Sequence, residues 1–104
     1  MIEFFKNLLG VGSKLNIEEL LAKGAVIVDV RTEREFKGGH IRGSVNIPLD
    51  KLPKNISKLK KNKPVITCCA SGMRSSTAKN ILISNGFPEV YNGGSWISVQ
   101  HKLK

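Results

Sequence analysis

Pro64-Val65-Ile66-Thr67-Cys68-Cys69-Ala70-Ser71-Gly72-Met73-Arg74-Ser75 joins an apolar run to a polar turn that contains a glycine. The run from Pro64 to Cys68 reads as a buried strand, and the residues beyond the turn read as a helix. A strand that turns sharply into a helix delivers its last residue to the carboxyl edge of a sheet, where open α/β folds bind ligands. The free amides at the start of the helix and the positive end of its dipole point to the same spot. A thiol placed there has its thiolate held by amide donors and by the field of the helix, which lowers its pKa. Cys69 is therefore the candidate nucleophile.

Outward from this stretch, the chain alternates strand-like and helix-like segments. Asn16-Ile17-Glu18-Glu19 is an N-cap with an acid three residues on, and Ile17, Leu20 and Leu21 share a helical face that Gly24 ends. Ala25 to Val30 is a continuous apolar run read as a central parallel strand. It brings Asp29 and Arg31 to the same carboxyl edge as Cys69, where Asp29 either satisfies loop amides or belongs to the site and Arg31 is equally open. Thr32-Glu33-Arg34-Glu35 is a capping box that starts a short helix, with Phe36 inward and Gly38-Gly39 at its end. His40 reads as a hydrogen-bonded structural histidine in preference to a catalytic base. Ser44 to Ile47 is a short strand closed by Pro48.

Leu52, Ile56 and Leu59 lie at helical spacings broken by Pro53, which predicts one turn and a short helix. Ala78, Ile81 and Leu82 give the helix after Arg74 its apolar face, up to Gly86. Glu89-Val90-Tyr91 reads as a strand, Asn92-Gly93-Gly94 as a turn, and Trp96, Val99 and Leu103 as a final amphipathic stripe. Trp96 is assigned to the core, and His101 to the surface near a helix end. Alternation of this kind implies a parallel sheet with helices on both faces.

Composition narrows the function. The 104 residues suit one domain, divided here into a short amphipathic extension over residues 1–14 and the domain proper over 15–104. Met1 to Leu9 is apolar but carries Glu3 and Lys6, is too short to span a bilayer and lacks a small-residue cleavage site, so it is expected to pack on the domain without stable membrane insertion. Seventeen Lys plus Arg against eight Asp plus Glu give a formal charge of +9, a field that concentrates small anions. Lys51, Lys54, Lys58, Lys60, Lys61 and Lys63 have no aromatic residues among them to stack bases, so no nucleic-acid partner is expected. Two adjacent cysteines build no disulfide framework, which favours a reducing cytoplasm, and neither a second Cys pair nor a close His pair supplies zinc ligands. No metal or other cofactor is implied.

Two registers compete for the turn. From Cys69 the pattern is C-x-x-G-x-R; from Cys68 it is C-x5-R-S, the spacing of the phosphate-cradling loop of cysteine-dependent phosphatases. In that phosphatase pattern a glycine lies three residues after the cysteine, which fits Gly72 counted from Cys69 and fails at Ser71 counted from Cys68. Thr67 also stands where the pattern has His. Strand alternation sends the two cysteines to opposite sides of the sheet, leaving Cys68 as a small core residue.

With Cys69 chosen, the chain from Asn16 to Val99 resembles the rhodanese family of small sulfurtransferases. The resemblance rests on Val28-Asp29-Val30-Arg31, on Glu35-Phe36, on Gly39 to Pro48, on Cys69 to Ser75, and on Gly86-Phe87 with Gly93-Gly94 and Trp96. It implies a three-layer α/β fold with a central parallel sheet of about five strands flanked by helices. It implies that Cys69 takes sulfur from a donor such as thiosulfate, holds it as a persulfide and passes it to cyanide or a thiol, whether a thioredoxin-like protein or a small thiol. Backbone amides of the loop formed by Ala70, Ser71, Gly72, Met73, Arg74 and Ser75 would hold the terminal sulfur. Arg74 matches the loop-closing arginine, and Asp29, Arg31 and His40 would be supporting residues. Family members active on thiosulfate often carry Arg or Lys directly after the cysteine, and Ala70 departs from this. A sulfur-relay or binding module with little thiosulfate turnover, and a phosphatase or arsenate reductase using Cys68, are the rival readings.

Overall fold

The computed structural model describes residues 15–103, and the expected N-terminal extension and its Met1 to Leu9 segment lie outside them. In chain order the elements are α1 (Ile17–Ala22), β1 (Val26–Asp29), α2 (Glu33–Lys37), β2 (Val45–Asn46), α3 (Leu52–Asn55), β3 (Val65–Cys69), α4 (Met73–Ser84), β4 (Val90–Ser95) and α5 (Trp96–His101). Single tight turns at Leu49–Lys51 and Ile56–Lys58 flank α3. Pro53 sits in the first turn of α3, where its missing N–H costs nothing, so it starts this helix instead of breaking it. No helix among the described residues is long and apolar enough to cross a membrane.

The strands form one parallel sheet in the order β2-β1-β3-β4. Among the described residues it has four strands where about five were expected. The residues themselves offered four strand-like segments, and the count of about five rested on resemblance alone. Helices cover both faces, giving the three expected layers. On one face Ile17 and Leu20 of α1 and Val99 of α5 pack with Ile27, Ile41, Ile66 and Cys68. On the other, Leu52 of α3 and Ala78 and Leu82 of α4 pack with Val28, Val30, Ile47, Val65, Cys69 and Phe87. The adjacent cysteines thus belong to opposite layers, as period-two alternation requires.

Strand β4 corrects the expected Asn92-Gly93-Gly94 turn. It runs on to Ser95, and between the pairs Thr67↔Asn92 and Cys69↔Ser95 two steps along β3 are matched by three along β4, which is a bulge. Gly93 makes the continuation possible: a Cβ there would lie 2.7 Å from Val99 Cγ2 and 2.9 Å from the Thr67 carbonyl oxygen. A glycine pair that signals a turn by composition here serves close backbone approach. Gly93→Ala should therefore cost about 1–3 kcal/mol of stability, seen as a lower denaturant midpoint; an unchanged midpoint would contradict the close packing of β4 on β3 and α5.

Candidate functional site

The site forms where β3 ends. Cys69 is the last residue of this strand, and the chain reverses through Ala70, Ser71 and Gly72 before α4 begins at Met73. Gly72 permits the reversal, because its φ of +109° lies in the region that side chains avoid. No side chain caps the twelve-residue helix α4, so its first amides are available to the loop.

Those amides converge on sulfur. Gly72 N–H donates to Cys69 Sγ at 2.9 Å and Ser75 N–H at 3.4 Å, while the Ser75 hydroxyl lies 3.5 Å from the same atom. Burial alone would raise the Cys69 pKa. The interaction with the Ser75 hydroxyl and the hydrogen bonds from the amides of Ser75, Gly72 and Ser71 outweigh it, and the net shift is downward. Cys68 shows the contrary case: buried on the other face and near the Asp29 charge, its thiol is pushed up to about 12. Both cysteines are free thiols. Of the loop residues, Ala70, Ser71 and Met73 are exposed and Ser75 is buried.

Ser75 is held by residues whose part in the site was not evident from the sequence. Its Oγ is 2.6 Å from Asn92 Oδ1 and 3.0 Å from the Gly72 carbonyl oxygen, and Asn92 Oδ1 also accepts the Gly94 amide at 2.9 Å. The Thr67 hydroxyl donates to the Ser75 carbonyl at 2.9 Å. Asn92 thus links the β4 bulge to the sulfur loop, and a strand carried past Tyr91 was the one signal that would have found it. In the sequence Glu35 reads as the acid of a capping box and as part of the Glu35-Phe36 pair in the family resemblance, with no contact to the loop assigned to it. That box is present, with Thr32 N–H donating to Oε1 at 2.9 Å, but the same carboxylate also receives Arg74, at 2.8 Å on Oε1 and 3.1 Å on Oε2. These bonds, the one from Arg74 foremost, hold the Glu35 carboxyl down at about 2.

The three supporting residues are placed apart from the sulfur contacts. Asp29 and Arg31 pair with each other, Nη2 to Oδ2 at 2.8 Å and Nε to Oδ1 at 3.0 Å, with Asp29 fully buried and Arg31 nearly so. The guanidinium continues to the carbonyls of Glu35 at 3.3 Å and Gly39 at 2.7 Å and lies 4.7 Å over the Trp96 ring. Asp29 Oδ1 also accepts the Arg31 amide at 3.0 Å, so among the described residues its carboxylate is bonded by Arg31 alone. His40 is exposed, stacks on Phe36 with ring centroids 3.7 Å apart, and shares a hydrogen bond with the Phe36 carbonyl at 2.8 Å, the arrangement of a structural histidine.

Comparison with known proteins agrees with this geometry. Residues 14–95 match the family described as Rhodanese-like domain. The chain is 43% identical over 68 residues to the uncharacterized protein YqhL of Bacillus subtilis, covering 65% of this chain and 54% of that one. It is 41% identical over 69 residues to the thiosulfate sulfurtransferase GlpE of Stutzerimonas stutzeri, covering 66% of this chain and 63% of that one. The chain therefore spans between about half and two thirds of the length of these two relatives. Among solved structures, a rhodanese with anions from E. coli is similar, with a TM-score of 0.67 at 32% identity, covering 71% of this chain and 89% of that one.

The cradle makes a specific prediction about acidity. Hydrogen bonds that favour the thiolate lower its pKa, so removing one raises it. Ser75→Ala should move the thiolate ultraviolet titration to higher pH, with a Cys69→Ser variant as the background. A midpoint that stays in place would show that the hydroxyl does not hold the sulfur.

Proposed function

The chain belongs to the rhodanese-like family, and on that footing we propose that it is a sulfurtransferase that carries sulfane sulfur as a persulfide on Cys69. The observation that carries this reading is the pair of amides, Gly72 at 2.9 Å and Ser75 at 3.4 Å, aimed at Cys69 Sγ. Oriented donors of this kind stabilise a localised negative charge without reorganising. A thiolate has such a charge, and so does the terminal sulfur of a persulfide.

The chemistry follows in two displacements. Thiolate Cys69 attacks the outer sulfur of a donor such as thiosulfate; the S–S bond of the donor breaks, its electron pair leaves on sulfite, and Cys69 retains the sulfur as a persulfide. An acceptor thiolate then attacks the terminal sulfur, takes it as its own persulfide and restores the Cys69 thiolate. The acceptor is a thiol, either of low molecular weight or on a thioredoxin-like protein, in a reducing cytoplasm. Arg74 fastens the loop to α2 through Glu35, which keeps the donor amides in register over the sulfur.

The phosphatase or arsenate reductase reading needs Cys68 as nucleophile. Its sulfur packs among Ile17, Ile41, Ile66 and Val99 on the other side of the sheet, with a thiol pushed up to about 12. The relay reading differs only in the donor and keeps Cys69 as the carrier.

Incubation with thiosulfate, mercaptopyruvate or polysulfide should add the mass of one sulfur atom to the peptide containing Cys69. Cys69→Ser should abolish the gain and Cys68→Ser retain it. Arg74→Ala should slow loading about tenfold, the equivalent of roughly 1.4 kcal/mol, and Lys79→Ala far less. Absence of the added mass with every donor would overturn the carrier reading, and equal effects of the two charge variants would overturn the part given to Arg74.

A further inference from the structure

The charges around the loop bear on the donor, an inference that rests on the sulfur-transfer reading above. Between Cys69 and Ser75 the only charged side chain is Arg74. Its guanidinium is engaged in both arms, with Nη1 donating to Glu35 Oε1 at 2.8 Å and Nη2 to Oε2 at 3.1 Å. This is the bidentate geometry that gives an arginine–carboxylate pair its specificity. Glu35 is itself fixed, because Oε1 also accepts the Thr32 amide at 2.9 Å and the Thr32 hydroxyl at 3.2 Å. The carboxylate cannot swing aside without giving up the cap of α2.

Arg74 directly precedes Ser75, whose amide donates to Cys69 Sγ at 3.4 Å, so the ion pair stands one residue from a direct contact to the sulfur. Glu35 cancels the charge of Arg74. The Cys69 thiolate then adds a negative charge that uncharged amides support. Ala70, exposed at the loop, supplies no compensating cation. The overall charge of +9 attracts anions at long range, but it is screened over about 8–10 Å and does not choose between donors at contact.

We propose that Glu35 is a specificity-determining residue: by neutralising Arg74 it biases the site towards sulfane donors that carry at most one charge at the transferable sulfur, namely hydropersulfides and organic polysulfides, and against dianions such as thiosulfate. The step is balanced for a hydropersulfide R–S–SH. The Cys69 thiolate attacks the outer sulfur, the S–S bond breaks with its electron pair leaving as the thiolate R–S⁻, and the proton stays on the Cys69 persulfide. A dianion undergoing the same displacement brings two negative charges to a thiolate beside a neutralised arginine.

The test compares second-order loading constants for thiosulfate and for 2-hydroxyethyl hydropersulfide in the wild-type chain, Glu35→Gln and Ala70→Arg. Glutamine keeps a side-chain acceptor for the cap of α2 while removing the charge. The ratio of thiosulfate to hydropersulfide constants should rise about fivefold in Glu35→Gln, and likewise in Ala70→Arg. A purely structural role for Glu35 would slow both donors together and leave the ratio where it was, which would overturn the proposal. If Glu35→Gln does not fold, the exposed Ala70 position decides, and an unchanged ratio there overturns it equally. A wild-type chain that loads from neither donor overturns the sulfur-transfer reading itself, which separates the two failures.

Discussion

The buried pair of Asp29 and Arg31 connects the frame of this molecule to the loop around Cys69. Asp29 ends β1 with no exposure to solvent, and Arg31 meets it through Nε and Nη2. The same guanidinium reaches the Glu35 carbonyl at the C-terminal side of α2's first turn and the Gly39 carbonyl just after the helix, and it covers the Trp96 ring at the start of α5. A buried ion pair is not in itself strongly stabilising, but breaking one leaves an uncompensated charge at a cost of about 3–5 kcal/mol. Its value here is positional. It fixes α2 against the sheet, α2 presents Glu35, and Glu35 holds Arg74 and with it one end of the loop around Cys69.

From the other side the loop depends on β4. The bulge between Asn92 and Ser95 places Asn92 beside Ser75, and Ser75 gives both an amide and a hydroxyl to the sulfur environment. The cradle is therefore braced by two elements distant in sequence, α2 through Arg74 and β4 through Ser75. The sulfur contacts themselves come from the intervening loop and the first turn of α4. This division explains how a buried thiol keeps a lowered pKa: the desolvation that opposes the thiolate is overcome only because several donors are held in place together.

The layers of the fold were legible from local pattern, because apolar runs and caps are local properties. The runs Ala25 to Val30 and Pro64 to Cys68, which fold as the strands Val26–Asp29 and Val65–Cys69, the capping box at Thr32 to Glu35 and the alternation of Cys68 and Cys69 could all be read along the chain. Choosing Cys69 as the residue at the loop needed only a count of three to Gly72. Three things were not legible. Gly93 looked like a turn because composition cannot tell a glycine that bends the chain from one that admits a neighbour. Glu35 looked complete as a cap because its second partner is thirty-nine residues away. Asp29 read as either satisfying loop amides or belonging to the site, and its pairing with the Arg31 guanidinium depends on packing between β1 and α2 that no local pattern records.

The central claim is that the Ala70 to Ser75 loop is built to hold a sulfur atom on Cys69. It is tested most directly by following backbone amide resonances of ¹⁵N-labelled protein before and after loading with sulfane sulfur. The largest shifts should fall on Gly72 and Ser75, whose amides already point at Sγ, and Ile27 and Ile66, which line the Cys68 side, should move little. Shifts centred on Ile27 and Ile66 with the loop unmoved would contradict it.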